Sequence, residues 1–353
     1  MRFTALIALL LLRATILTGQ DRYYYTGKSY GSEAVYNPLY LVLNGSYDII
    51  QLEGHSREFL TFPYGAGFRN VARNIGSPFA AISHYGVGHF LRHEVFPLSF
   101  DVGEARWWPN YQLHLIGGGM TYVAMREWYE THGFAGAAIW SIGTMAAYHI
   151  LNEVVENGEY QGWNVDPIAD LYIFDVGGII LFSSDAVNRF FSRTLNMADW
   201  SLQPGITFPH GTLQNNGQYF SVKWKLPFSE SLHLFYYFGL RGLLGVSQKS
   251  DNGAAISAGI GMRAVRLKTI DNLNTKTVDL RWNIGFFYDR NNSLLASLFL
   301  SDYSDEAITL NIYPGLFRVA GLSPGFWGIY SRSRGAIIGI STIWTPGIGY
   351  SFE

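Results

Sequence analysis

Cysteine is absent from the 353 residues. That excludes disulfides, thiolate metal sites, thiol nucleophiles and a lipidated cysteine anchor. Charge is also scarce: Asp, Glu, Lys and Arg make up 15% of the chain, well below the quarter or so usual for soluble domains. Only six residues are lysine and the formal net charge is −2. No basic stripe is visible, so nucleic acid is not an expected partner. The common cofactor and nucleophile motifs are missing as well. Trp140-Ser141-Ile142-Gly143 lacks the leading glycine of a nucleophile elbow. Gly86-Val87-Gly88 is too short for a dinucleotide or phosphate loop. No cofactor is expected.

What the chain has in plenty is apolar and aromatic surface. Apolar residues reach 48% and aromatics 16%, with 23 Tyr and 10 Trp. Tyr and Trp suit places where one side of a ring is greasy and the other wet, such as a bilayer interface. The N-terminus reads as a secretory leader over residues 1–19. Arg2 supplies the positive start, and residues 5–12 form an apolar run too short to span a bilayer. Cleavage is expected after Gly19, although Arg13 and Leu17 fit that pattern imperfectly. The alternative is an uncleaved anchor.

Residues 20–35 are polar and rich in Tyr and Gly, and are expected to form a flexible arm. From 36 to 200 the pattern is helical. Asn37-Pro38 places a capping residue ahead of a proline at the first helical position. Weaker helical stretches follow near 66–75 and 78–96. Three stronger helices are expected over 110–131, 134–157 and 167–191, the last with Asp166 as its N-cap. Residues 134–152 carry no Asp, Glu, Lys or Arg. Their glycines and alanines suggest the buried centre of a compact bundle, with a membrane-spanning helix as the alternative.

Beyond residue 200 the period changes to two. Val278, Leu280, Trp282, Ile284, Phe286 and Tyr288 share one face; Thr277, Asp279, Arg281, Asn283 and Gly285 share the other. The runs Phe220–Leu226, Leu232–Leu240, Ile256–Met262 and Ile308–Ile312 repeat the alternation. Turn clusters fall at 215–217, 250–253 and 289–292. Strands of this length and patterning predict an α+β membrane protein, with a helical region packed on or in a C-terminal antiparallel transmembrane barrel of about 8–10 strands over residues 201–353. Asp279, Arg281 and Asn283 are then candidates to line its interior, which side chains nearly fill in so small a barrel. The competing reading is a soluble sandwich or lipocalin-like barrel, whose apolar face would line a private core.

One constellation invites chemistry. His114 lies on the first strong helix. His149, Glu153 and Glu156 share a face of the second at i, i+4 and i+7. Asp170 and Asp175 lie on the third. Brought together, an imidazole and several carboxylates can move protons or bind a hard or borderline metal. The candidate catalytic residues are therefore His114, Glu153 and Asp170, supported by Glu156 and Asp175; a structural polar network is the competing reading. His84, His89, His93 and Glu94 form a second group, but Phe90-Leu91 follows His89 where a zincin requires Glu.

Trp108, Asn110, Tyr111, His114 and Gly118, then Glu153 and Glu156, then Asp170, Leu171 and Gly178 resemble the pattern of an uncharacterised family of bacterial outer-membrane proteins. More distantly the chain is similar to VanZ-like and YfiM-like envelope proteins. The resemblance covers residues 108–182, with Asp175 in place of an expected proline and Phe182-Ser183 in place of Gly-Glu. It implies outer-membrane location and a polar helical core, and brings no activity with it. The expected role is structural or interacting, as a barrel with a helical plug or periplasmic module in contact with outer-membrane lipid. The alternatives are an envelope enzyme acting on a lipid substrate, and a small channel or transporter.

Overall fold

The computed structural model describes residues 21–99, 106–269, 276–302 and 305–352. The expected leader at 1–19 lies outside them. The fold is α+β, with helices leading into a sheet of thirteen strands, mostly antiparallel.

The helices are α1 (Gly31–Val35), α2 (Pro38–Gly45), α3 (Tyr64–Gly76), α4 (Pro78–Tyr85), α5 (residues 87–95), α6 (residues 108–131), α7 (Ala137–Asn157), α8 (Asp166–Phe182) and α9 (Asp185–Thr194). Asn37 caps α2 as its sequence suggests, accepting from the Tyr40 N–H at 2.9 Å. Residues 21–35 are not a loose arm. The backbone N–H groups of Tyr23, Tyr24 and Tyr25 donate to Glu127 of α6 at 2.6–2.9 Å. Asp166 does not cap α8; its carboxylate pairs with Arg106 instead. The helix expected over 167–191 breaks after Phe182, where α8 and α9 meet at 83°. The chain around α7 is not buried all round either. Ala138, Ser141, Met145, Tyr148 and His149 form its buried stripe, while Ile139 and Trp140 are exposed. No single described helix is long and apolar enough to cross a membrane.

Strands β1 (Ala198–Asp199), β2 (Gly205–Phe208) and β3 (Thr212–Gln214) are short. Strands β4 (Phe220–Lys225), β5 (Leu232–Phe238), β6 (Arg241–Lys249), β7 (Ala254–Thr269), β8 (Lys276–Arg290), β9 (Ser293–Ser301), β10 (Ile308–Ile312), β11 (Gly325–Ser331), β12 (Gly335–Ser341) and β13 (Gly347–Phe352) form an up-and-down meander. The sheet's thirteen strands exceed the expected eight to ten, the additional ones being the short β1, β2 and β3 that flank the meander. Asn291 and Asn292 turn β8 into β9 with positive φ, a conformation Asn tolerates better than most residues. The 215–217 cluster is no surface turn: Asn215 and Asn216 are buried, with side-chain amides donating to Gln203, Asn311 and Tyr47.

The sheet curls strongly. Tyr237 on β5 and Phe299 on β9 stand 5.6 Å apart, ring to ring, with three strands between them. The space enclosed is filled by Trp200 against Phe235 and Phe287, by a Lys223–Asp289 ion pair and by Glu306 among Arg57, Arg263 and Arg241. Strand pairing does not close the sheet into a barrel: the order ends at β1 and β3. The opening lies between β1, which pairs with β4, and β3, which pairs with β2 beside β13.

The two sheet faces differ in kind. Trp224, Leu244, Ile260, Trp282, Ile340 and Ile348 project from one face and are more than half exposed, while Ser221, Lys223, Ser257, Asn283, Ser297 and Asn311 are buried on the other. Asn283 lies inside as expected, but Asp279 and Arg281 do not line the interior. Arg281 is exposed, and Asp279 pairs with Lys268 near the end of the β7–β8 hairpin. The helical bundle covers part of the apolar face through α6, while the region after α2 also reaches the buried side, where Arg57 pairs with Glu306 and Gln51 accepts from Tyr219 at 2.9 Å. Trp108 of α6 lies over Gly242 and donates to the Gly239 carbonyl at 3.0 Å; Gly117 sits on the Phe220 ring; Gln112 accepts from Tyr236 at 2.6 Å. Phe220, Tyr236 and Gly242 share the face that carries Trp224, Leu234 and Leu244 further along the same strands.

Candidate functional site

Three helices meet around His114. Helix α6 and helix α8 cross at glycines: a Cβ on Gly178 would stand 2.7 Å from the Leu115 carbonyl oxygen and 3.1 Å from the Gly119 nitrogen. This close approach brings His114 of α6 against the acidic face of α8. The acidic face itself depends on how α8 winds. Five residues of an α-helix turn through about 500°, leaving residues i and i+5 about 140° apart. Residues 169–175 instead form π-type i→i+5 hydrogen bonds, which stack Asp175 over Asp170. Residues 108–118, which carry His114, wind in the same way.

The result is a chain of imidazoles and carboxylates. His114 Nε2 lies 3.5 Å from Asp170 Oδ2, and its Nδ1 lies 3.4 Å from Asp175 Oδ1. The other Asp175 oxygen is paired with His149 Nδ1 of α7. The two imidazole rings are 5.2 Å apart. Asp175 and His149 are buried, and His114 and Asp170 nearly so. Burial alone would lower the His114 imidazole, but Asp170 and then Asp175 overcome this and push it up to about 9. Burial raises Asp170 to about 6, against the pull of His114. Burial also lowers His149, in spite of Asp175. Asp175 stays below the usual carboxylate range because the two imidazoles outweigh its own burial. Groups held this way can pass a proton along the chain or present nitrogen and oxygen ligands together.

Of the residues expected from sequence, His114, Asp170 and Asp175 come together. Glu153 is buried one turn beyond His149 on α7. Glu156, further along, acts on Asp48 and Asp170 through space. Neither belongs to the closely spaced ligand group, which is His114, His149 and Asp175. His149 was visible as part of the α7 face. Asp48 was not: it lies just after α2, accepts from Asn152 at 2.9 Å, and is raised to about 7 by burial and Glu156.

A second polar group adjoins the first and joins Glu94 and Asp166, both noted in the sequence in other roles, to Arg106, which was not. Arg106 bridges Glu94 at 2.8 Å and Asp166, while Tyr85 donates to Glu94 at 3.1 Å. Burial pushes Glu94 up to about 7, partly offset by Arg106. The His89 and His93 rings stand 4.0 Å apart, centre to centre, tilted by 42°. Asn110 and Tyr111 donate to the Glu94 and Val95 carbonyls at 2.8 and 2.6 Å and so fix the start of α6.

No protein-family model, curated protein or solved structure matches the chain.

Proposed function

We propose that the protein is an outer-membrane β-barrel of the bacterial envelope, its curled sheet facing lipid and its helices giving it a structural or interacting role. The observation that carries this reading is the uncovered apolar face. Tryptophans and isoleucines on strands from β4 to β13 stand open while serines, asparagines and a lysine–aspartate pair are buried behind them. Soluble monomers rarely leave apolar patches of more than a few hundred Å² exposed; a barrel in lipid alternates apolar outward and polar inward. The filled interior disfavours a wide channel.

The test is to express the full chain and extract the membranes with urea. A urea-resistant band whose gel mobility changes on heating supports the reading. A protein that stays soluble and monodisperse without detergent overturns it.

A second reading is favoured by the site itself, namely an envelope enzyme acting on a lipid. His114, held between Asp170 and Asp175, has the composition of an acid–base centre. Folded His114→Ala and Asp170→Asn variants that alter outer-membrane lipid composition would support it; unchanged lipid would reject it.

A further inference from the structure

We infer that His114, His149 and Asp175 form a binding site for a divalent transition-metal ion, with zinc as its type. Their ligand atoms all lie within 4.8 Å of one another. In a tetrahedron with bonds of about 2.0–2.1 Å, ligand atoms lie roughly 3.3 Å apart, so a closure on the order of 1 Å would seat the ion. Two imidazoles and one carboxylate form a donor set suited to zinc and its neighbours rather than to calcium or magnesium, which prefer oxygen. Three protein ligands also leave an open position, as catalytic zinc sites do.

The surroundings fit the same purpose. Asp170 lies on Nε2 of His114, on the far side of the ring from Asp175. A carboxylate there fixes the tautomer that leaves Nδ1 free to ligate, which is the usual outer support of a metal-bound histidine. Asp170 is thus a positioning residue. Gly118 keeps space open beside the ligands: a Cβ there would lie 3.6 Å from His149 Cε1 and 3.8 Å from Asp175 Oδ1. Each ligand comes from a different helix, α6, α7 or α8, so an ion would tie the bundle together. The inference does not depend on the membrane reading, and neither test decides the other.

The experiment uses the full chain in detergent, stripped with chelator and titrated with zinc or cobalt(II). Wild type is expected to take up about one zinc per chain and to give a tetrahedral cobalt spectrum that zinc abolishes. His149→Ala and Asp175→Asn should lose the ion while keeping the circular dichroism spectrum and cooperative thermal unfolding of wild type. Asp170→Asn should still bind, but roughly 10–100-fold more weakly. No zinc uptake by wild type, or uptake unchanged in folded His149→Ala, overturns the inference. If the ligand variants do not fold, the wild-type cobalt spectrum decides alone: tetrahedral bands support the site, and an octahedral or absent signal refutes it.

Discussion

Lys223 of β4 donates to both carboxylate oxygens of Asp289 on β8, at 2.8 Å each, across three intervening strands. Both side chains are buried, so the pair clamps the curl of the sheet from inside. Removing one partner leaves an unpaired buried charge, which costs about 3–5 kcal/mol, whereas replacing both with apolar residues of similar volume can be close to neutral. Lys223→Met is therefore expected to lower stability sharply, and Lys223→Met with Asp289→Leu to recover most of the loss. Urea unfolding in detergent or vesicles measures both; equal losses in the single and double variants would contradict the clamp.

The outer rows respond to charge in the opposite sense. Ile260→Arg and Ile284→Arg place a guanidinium on the exposed apolar face, and in lipid each is expected to cost about 2–4 kcal/mol near the bilayer centre. Gln248→Arg, at an exposed polar position on the same sheet, is expected to change little. Folding into vesicles followed by denaturant titration distinguishes them.

The helix crossing beneath the site should tolerate no side chain. Gly178→Ala sets a methyl against the Leu115 carbonyl and is expected to cost about 1–3 kcal/mol. Gly143→Ala in α7 meets nothing within 4 Å and is expected to gain roughly 0.5–1 kcal/mol from helix propensity. Thermal unfolding of the two variants should therefore move in opposite directions.

Glu127 predicts a pH dependence. Burial raises its carboxyl to about 7, with the N–H groups of Tyr25, Tyr23 and Tyr24 opposing the shift. A carboxyl raised in the folded state favours folding most below its unfolded pKa near 4.5. That contribution, on the order of 3 kcal/mol, fades as pH rises toward 7. Glu127→Gln should flatten the stability profile between pH 4.5 and 7; a profile that keeps its slope contradicts the assignment.

The sheet was legible because its signal is local. Alternation over Val278–Tyr288 placed Trp282, Ile284 and Phe286 outside and Asn283 inside, and the structure agrees. The reading slipped at Asp279 and Arg281, close to the β7 bulge at Ala264/Arg266, where simple alternation ceases to describe the surroundings. The site was half legible. Asp170 and Asp175 lie on different sides of an α-helix and share a side only because α8 winds with π-type bonds, which no periodicity of 3.6 reveals. Asp48, Glu94 and Arg106 reach the network through tertiary contacts with helices far along the chain.

Whether the uncovered rows face acyl chains, as proposed, can be read by site-directed spin labelling. The absence of cysteine allows one to be placed at Ile284 and another at Arg281, each carrying a spin label in the vesicle-reconstituted protein. The label at 284 is expected to meet dissolved oxygen but not a water-soluble nickel chelate, with the reverse at 281. A label at 284 that the nickel chelate reaches as freely as at 281 would contradict the proposal.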